Sequence, residues 1–63
     1  MNCLKQIRGK KKLSQSQLAR LTGIAVPNIS AHENGRYKMN ETTIRRYAEA
    51  LGVRPGEILG DKK

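Results

Sequence analysis

Three glycines constrain this chain more than any other feature. Gly23, Gly35 and Gly52 each follow a stretch whose apolar residues recur at helical period, where a left-handed C-cap sits. They divide the sequence into short helices. The first is expected from about Asn2 to Lys11, with Leu4 and Ile7 on one face, Lys5, Arg8 and Lys10 around the rest, and Gly9 costing roughly 1 kcal/mol relative to Ala. The second opens at Ser14, an N-cap followed three residues later by Gln17 in the capping-box arrangement, and runs through Leu18, Ala19 and Leu21. The third begins near Ala25, tolerates Pro27 in its first turn, carries Ile29 inward and ends at Asn34-Gly35. Asn40 caps a fourth whose buried face reads Ile44, Tyr47, Ala48, Leu51, and a short fifth begins near Pro55. No segment alternates like a strand. The expected architecture is an all-α, compact five-helix bundle forming one domain over residues 1–63.

Size and composition narrow what such a bundle can do. With 63 residues there is room for one core and no internal catalytic cleft of ordinary size. The only aromatics are two tyrosines, so the core is expected to be aliphatic, drawn mostly from Leu, Ile, Val and Ala. A lone Cys3 excludes an intramolecular disulfide and fits a reducing cytoplasm, where Cys3 reads as a small half-buried residue; one histidine cannot assemble an ordinary zinc quartet. No metal or cofactor is expected. The N-terminus lacks the apolar region of a signal peptide, and no apolar run is long enough to span a membrane. Thirteen Lys and Arg against five acidic residues give a net charge of +8, which points to a polyanionic partner: DNA, RNA or an acidic membrane surface.

The informative stretch is 14–35, two helices pivoting on Gly23. Ala19 is small enough for a close helix crossing, Gly23 supplies the positive φ of a sharp turn, and Leu18, Ile24 and Ile29 are the expected shared core. That leaves Val26, Pro27, Asn28 and Ala31 as an outer face free to enter a DNA major groove.

At these residues the sequence resembles the lambda-repressor-like (Xre/Cro-type) helix-turn-helix family of phage and bacterial DNA-binding regulators. The resemblance rests on Leu4-x-x-Ile7-Arg8, Leu13-Ser14-Gln15, Leu18-Ala19-x-x-x-Gly23-Ile24, Ile29-Ser30-x-x-Glu33-Asn34-Gly35, and Ile44, Ala48 and Leu51-Gly52-Val53, and it covers nearly the whole chain. It implies that Val26, Pro27, Asn28, Ser30 and Ala31 face bases. Asn28 is the residue able to make a bidentate adenine contact, or else a plain polar first-turn residue. Phosphate contacts are implied for Gln15 with the N-terminal N–H groups of its helix, for Arg8, for the segment Asn34, Arg36, Tyr37, Lys38, and for Asn40. Ala19, Gly23, Ile29 and Glu33 are implied to be structural, Glu33 pairing with Arg8 to tie the first helix to the end of the third.

His32 stands where relatives carry an aliphatic or aromatic residue and reads as a half-buried spacer. Lys10-Lys11-Lys12 is either a nonspecific DNA attractor or a solvated turn; Arg45, Arg46 and Lys62-Lys63 read as solvated charges. The chain departs from the family at Met39, where proline is frequent, and at Glu41, where an apolar residue is frequent. The family resemblance implies a homodimer, formed on DNA through residues after Leu51 such as Pro55 and Ile58, with recognition helices about 34 Å apart on a palindrome. Ending soon after the fifth helix, the chain is expected to carry no sensor domain and no small-molecule ligand.

Two functions from different classes follow. One is a sequence-specific DNA-binding transcriptional regulator, a repressor blocking polymerase at its operator, cytoplasmic and nucleoid-associated when bound, in a bacterium or phage. The other is an antitoxin-like protein-interaction module that also binds DNA. Membrane-surface binding is disfavoured by the narrow apolar face of the first helix. An enzyme is disfavoured because no nucleophile–base pair, paired carboxylates or metal cluster stands at a useful spacing.

Overall fold

The computed structural model describes residues 3–60. Five helices follow in chain order: α1 (Leu4–Lys10), α2 (Gln15–Thr22), α3 (Val26–Glu33), α4 (Glu41–Leu51) and α5 (Pro55–Leu59), with no strand among the described residues. The caps explain the boundaries. Ser14 Oγ accepts the Gln17 N–H at 3.0 Å while Gln17 Oε1 accepts the Ser14 N–H at 2.8 Å, so both halves of the capping box form. Asn40 Oδ1 accepts the Thr43 N–H at 2.8 Å to start α4. Gly23 ends α2 at φ +76° and Gly52 ends α4 at φ +69°, where a side chain would be strained. The first helix is shorter than its expected span of Asn2–Lys11: Lys11 is its C-cap, and Asn2 lies outside the described residues.

The core gathers Leu4, Leu18, Ile29, Tyr47, Ala48, Leu51 and Ile58, with Ile7, Leu13, Ile24, Ile44 and Val53 partly buried against it. The core is mostly aliphatic, as expected, and Tyr47, expected on the buried face of the fourth helix, is its largest fully buried side chain. A buried phenol is tolerated only with a partner for its hydroxyl, and His32 on α3 supplies one. Ile58 is also fully buried. The short α5 packs on α4 and α1, and the Cys3 N–H donates to the Ile58 carbonyl at 2.9 Å, closing the two ends of the fold on each other. Ile58 therefore belongs to the core and cannot serve as an interface residue; Pro55 stays exposed, and Leu59 is the exposed apolar side chain of α5.

Thr22 and Arg46 secure the turn between α2 and α3. The buried Thr22 hydroxyl donates to the Leu18 carbonyl at 2.8 Å and accepts the Ile24 N–H at 3.2 Å. Arg46 Nη1, expected to be merely solvated, donates to the Thr22 carbonyl at 3.3 Å and so caps α2 from α4.

Candidate nucleic-acid interface

Helix α3 enters the site with an open N-terminus. Its N-cap is Ala25, which has no side chain to cap with, and Pro27 in the first turn removes one of the donors that would need a partner. Pro27 and Asn28 are exposed, and Val26 and Ser30 are half-buried. Ala31 is not exposed with them. It is only 8% exposed, and the chain after α3 folds back to its main chain: the N–H groups of Arg36 and Tyr37 both donate to the Ala31 carbonyl, at 2.9 and 3.4 Å. Its expected base-reading role is corrected to a packing one.

That fold-back carries the basic segment to the same side. Asn34, Arg36, Tyr37, Lys38 and Asn40 are all exposed, and Gly35 supplies the reversal at φ +78°. A groove runs between the α2–α3 turn, α3 and the start of α4. It is lined by Gly23, Ile24 and Ala25 on one side and by Lys38, Asn40 and Thr43 on the other, with Asn28, His32 and Tyr37 between. Sequence reasoning placed Asn28, Lys38 and Asn40 at the interface but passed over Thr43 and the groove role of His32; a histidine where relatives carry an aliphatic or aromatic residue was the available signal for His32. Asn40 spends its carbonyl oxygen on the α4 cap, so the amide nitrogen is what it can offer an anion.

Two residues expected at phosphates are instead engaged inside the protein. Arg8 Nε donates to Glu33 Oε2 at 2.6 Å, Nη2 to Glu33 Oε1 at 3.3 Å, and Nη1 to the Leu13 carbonyl at 2.7 Å. The pair is nearly enclosed, the side chains 14% and 3% exposed. The expected Arg8–Glu33 tie is present, and the expected presentation of Arg8 to DNA is corrected, since this guanidinium is committed to the fold. Gln15 is half-buried and gives one hydrogen of Nε2 to Glu33 Oε1 at 3.0 Å, which leaves the other for an anion at the start of α2. Ala19 packs partly buried against the core, and Ile29 is fully buried beneath α3.

Two pKa shifts belong to the groove floor. Burial lowers the His32 imidazole below its usual 6.5. Burial first, and then the nearby Glu33 carboxylate, push the Tyr47 phenol up to about 12. Both favour the neutral forms that share the hydrogen bond between them. Among the described residues no group of three His, Cys, Asp or Glu side chains is placed to hold a metal ion, and no helix is long and apolar enough to cross a membrane.

An uncapped, exposed first turn beside a loop rich in basic and amide side chains fits the edge and backbone of a double helix. Neither the curated proteins nor the solved structures contain a match to this chain. The family model for the Cro/C1-type helix-turn-helix DNA-binding domain matches residues 3–63, and the chain belongs to that family of double-stranded DNA-binding regulatory domains.

Proposed function

We propose that this protein is a sequence-specific transcriptional repressor that occupies a palindromic operator as a homodimer, with α3 in the major groove. The observation that carries the proposal is the exposure of Pro27 and Asn28 on an uncapped helix start, with Asn28 lining one groove together with Lys38 and Asn40. Asn28 then pairs with an adenine edge, Val26 and Pro27 pack on thymine methyls, and Gln15, Asn34, Arg36, Tyr37, Lys38 and Asn40 fix register on phosphates. With Ile58 in the core, Pro55 and Leu59 are the α5 residues left to meet a second copy on DNA.

Selection of bound duplexes from a random pool at physiological salt tests this. The expected result is a palindrome preferred by ~10³-fold or more over a scrambled site, with Asn28→Ala costing about 1–3 kcal/mol at one defined base position in each half-site. Equal binding to every sequence would remove the regulator reading.

The antitoxin-like alternative is favoured by a different observation: Leu21, on α2, is 59% exposed beside Arg46, Glu49 and Ala50. If that function holds, Leu21→Glu abolishes capture of a protein partner and leaves DNA affinity intact.

A further inference from the structure

The floor of the interface groove is an ionisable side chain that joins three parts of the molecule. His32 lies in the last turn of α3, half-buried; its Nδ1 and the Tyr47 hydroxyl share a hydrogen bond of 2.7 Å, and the two rings meet edge-on with centroids 5.7 Å apart. Tyr47 is fully buried midway along α4, the helix whose first turn brings Asn40 and Thr43 to the groove. The same imidazole meets Tyr37 edge-on at 6.2 Å, and Tyr37 is exposed next to Lys38. A hydrocarbon at position 32 would fill this space without setting an angle. A hydrogen bond is directional and does set one.

We infer that His32 and Tyr47 are positioning residues for DNA recognition: their hydrogen bond holds α3 and the Tyr37–Asn40 segment at the separation at which Asn28 and Lys38 engage one duplex. The inference rests on the DNA-recognition function proposed above. The bond survives either charge state of the imidazole, so a proton dependence of binding comes from the surroundings of the ring and not from loss of the bond. Neutral, with the proton on Nε2, the imidazole accepts from the Tyr47 hydroxyl; protonated, Nδ1–H donates to it.

The groups facing His32 set the sign. Lys38 and Tyr37 come from the loop, and Tyr47 from α4. The α2–α3 turn contributes uncharged Gly23, Ile24 and Ala25. Glu33, next along α3, is bonded to Arg8 and Gln15 while its charge still reaches the Tyr47 phenol, and Arg46, next to Tyr47, is turned to the end of α2. In the free protein, burial disfavours an imidazolium. Phosphates lying along the groove reverse that preference, so binding takes up a proton and affinity rises as pH falls.

Fluorescence anisotropy of the full chain on its selected duplex, at fixed salt between pH 5.5 and 8 and at a temperature where every variant is folded, decides the matter. Tyr47→Phe keeps the ring and removes the hydroxyl; it is expected to lose about 3- to 10-fold in affinity, the worth of one hydrogen bond. His32→Leu is expected to lose as much. His32→Asn, whose side-chain oxygen stands close to where Nδ1 stood, is expected to keep most of the affinity while losing the rise toward low pH. Wild-type affinity in Tyr47→Phe overturns the inference; should that variant not fold, equal affinities of His32→Leu and His32→Asn overturn it instead. A wild-type protein that prefers no duplex overturns the proposed repressor function itself, and this inference with it.

Discussion

One carboxylate does more to organise this molecule than any other side chain. Glu33 accepts from Arg8 and from Gln15, while Arg8 reaches on to the Leu13 carbonyl, so α1, α2, α3 and the α1–α2 connection meet at a group 3% exposed. Removing it leaves a guanidinium enclosed without its counter-charge. Glu33→Ala is expected to destabilise the fold by roughly 3 kcal/mol, most of the stability of so small a domain, as read by urea denaturation. The titratable pair under the groove makes a second prediction. Because the folded state holds His32 below 6.5, the unfolded chain takes up the proton first; stability is full above that pH and declines as the pH falls through it. For Tyr47, raised from the usual 10 to about 12, the folded state keeps its proton longer; stability is full below 10 and is lost as the pH climbs toward 12. Melting temperature measured against pH is expected to show both limbs. His32→Asn flattens the acid one and Tyr47→Phe the alkaline one.

At the scale of elements, boundaries depend on a few capping residues acting over three or four positions. That is why the helices were legible: Ser14 with Gln17, Asn40 with Thr43, and the glycines ending α2 and α4 form the contacts that their spacing implies. The turn of the helix-turn-helix adds tertiary support, with Thr22 and Arg46 both bonded at the end of α2. A Cβ placed on Gly23 meets only Arg46 Nη1 at 3.8 Å, so space is not the obstacle to substitution there. The cost lies in the backbone at φ +76°. Gly23→Ala is therefore expected to lose about 1–2 kcal/mol of stability without a change in the crossing of α2 and α3, which thermal denaturation together with an unchanged amide NMR pattern away from the turn would show. Expectations were less secure where two elements had to meet. A helical repeat tells which residues share a face, and says nothing of what covers that face; Ala31 shares one with Asn28 in the linear pattern, yet Asn28 is exposed and Ala31 is buried.

At the scale of the molecule, charge and shape are separated in a useful way. Among the described acidic residues Glu33 is buried in an ion pair, while Glu41, Glu49 and Glu57 are exposed on α4 and α5. Arg36 and Lys38 are exposed in the loop after α3, and Lys38 lines the groove, so part of the positive charge is presented beside α3. Binding should weaken steeply with salt. Lys38→Ala is expected to weaken binding to all sequences alike and to reduce the slope of log affinity against log salt by about 1, measured by titration at several ionic strengths. Asn28→Ala should leave that slope unchanged, since a base contact releases no counterion. The contrast between the two variants separates affinity from recognition.

What the sequence by itself determined here is local: where most helices start and stop, their number, the sign of the partner's charge, and the helix-turn-helix of α2 and α3. These follow from interactions spanning at most four or five residues, or from a sum over the whole chain, and neither needs the fold. The tertiary structure decided what depends on packing between distant segments. It turned Arg8 inward to Glu33, took Ala31 and Ile58 into the interior, drew Arg46 onto the end of α2, and brought His32 to the hydroxyl of the buried Tyr47. Burial and hydrogen-bond partnership are properties of neighbours in space, and in a bundle of five short helices those neighbours come from segments 15 to 25 positions apart in the chain.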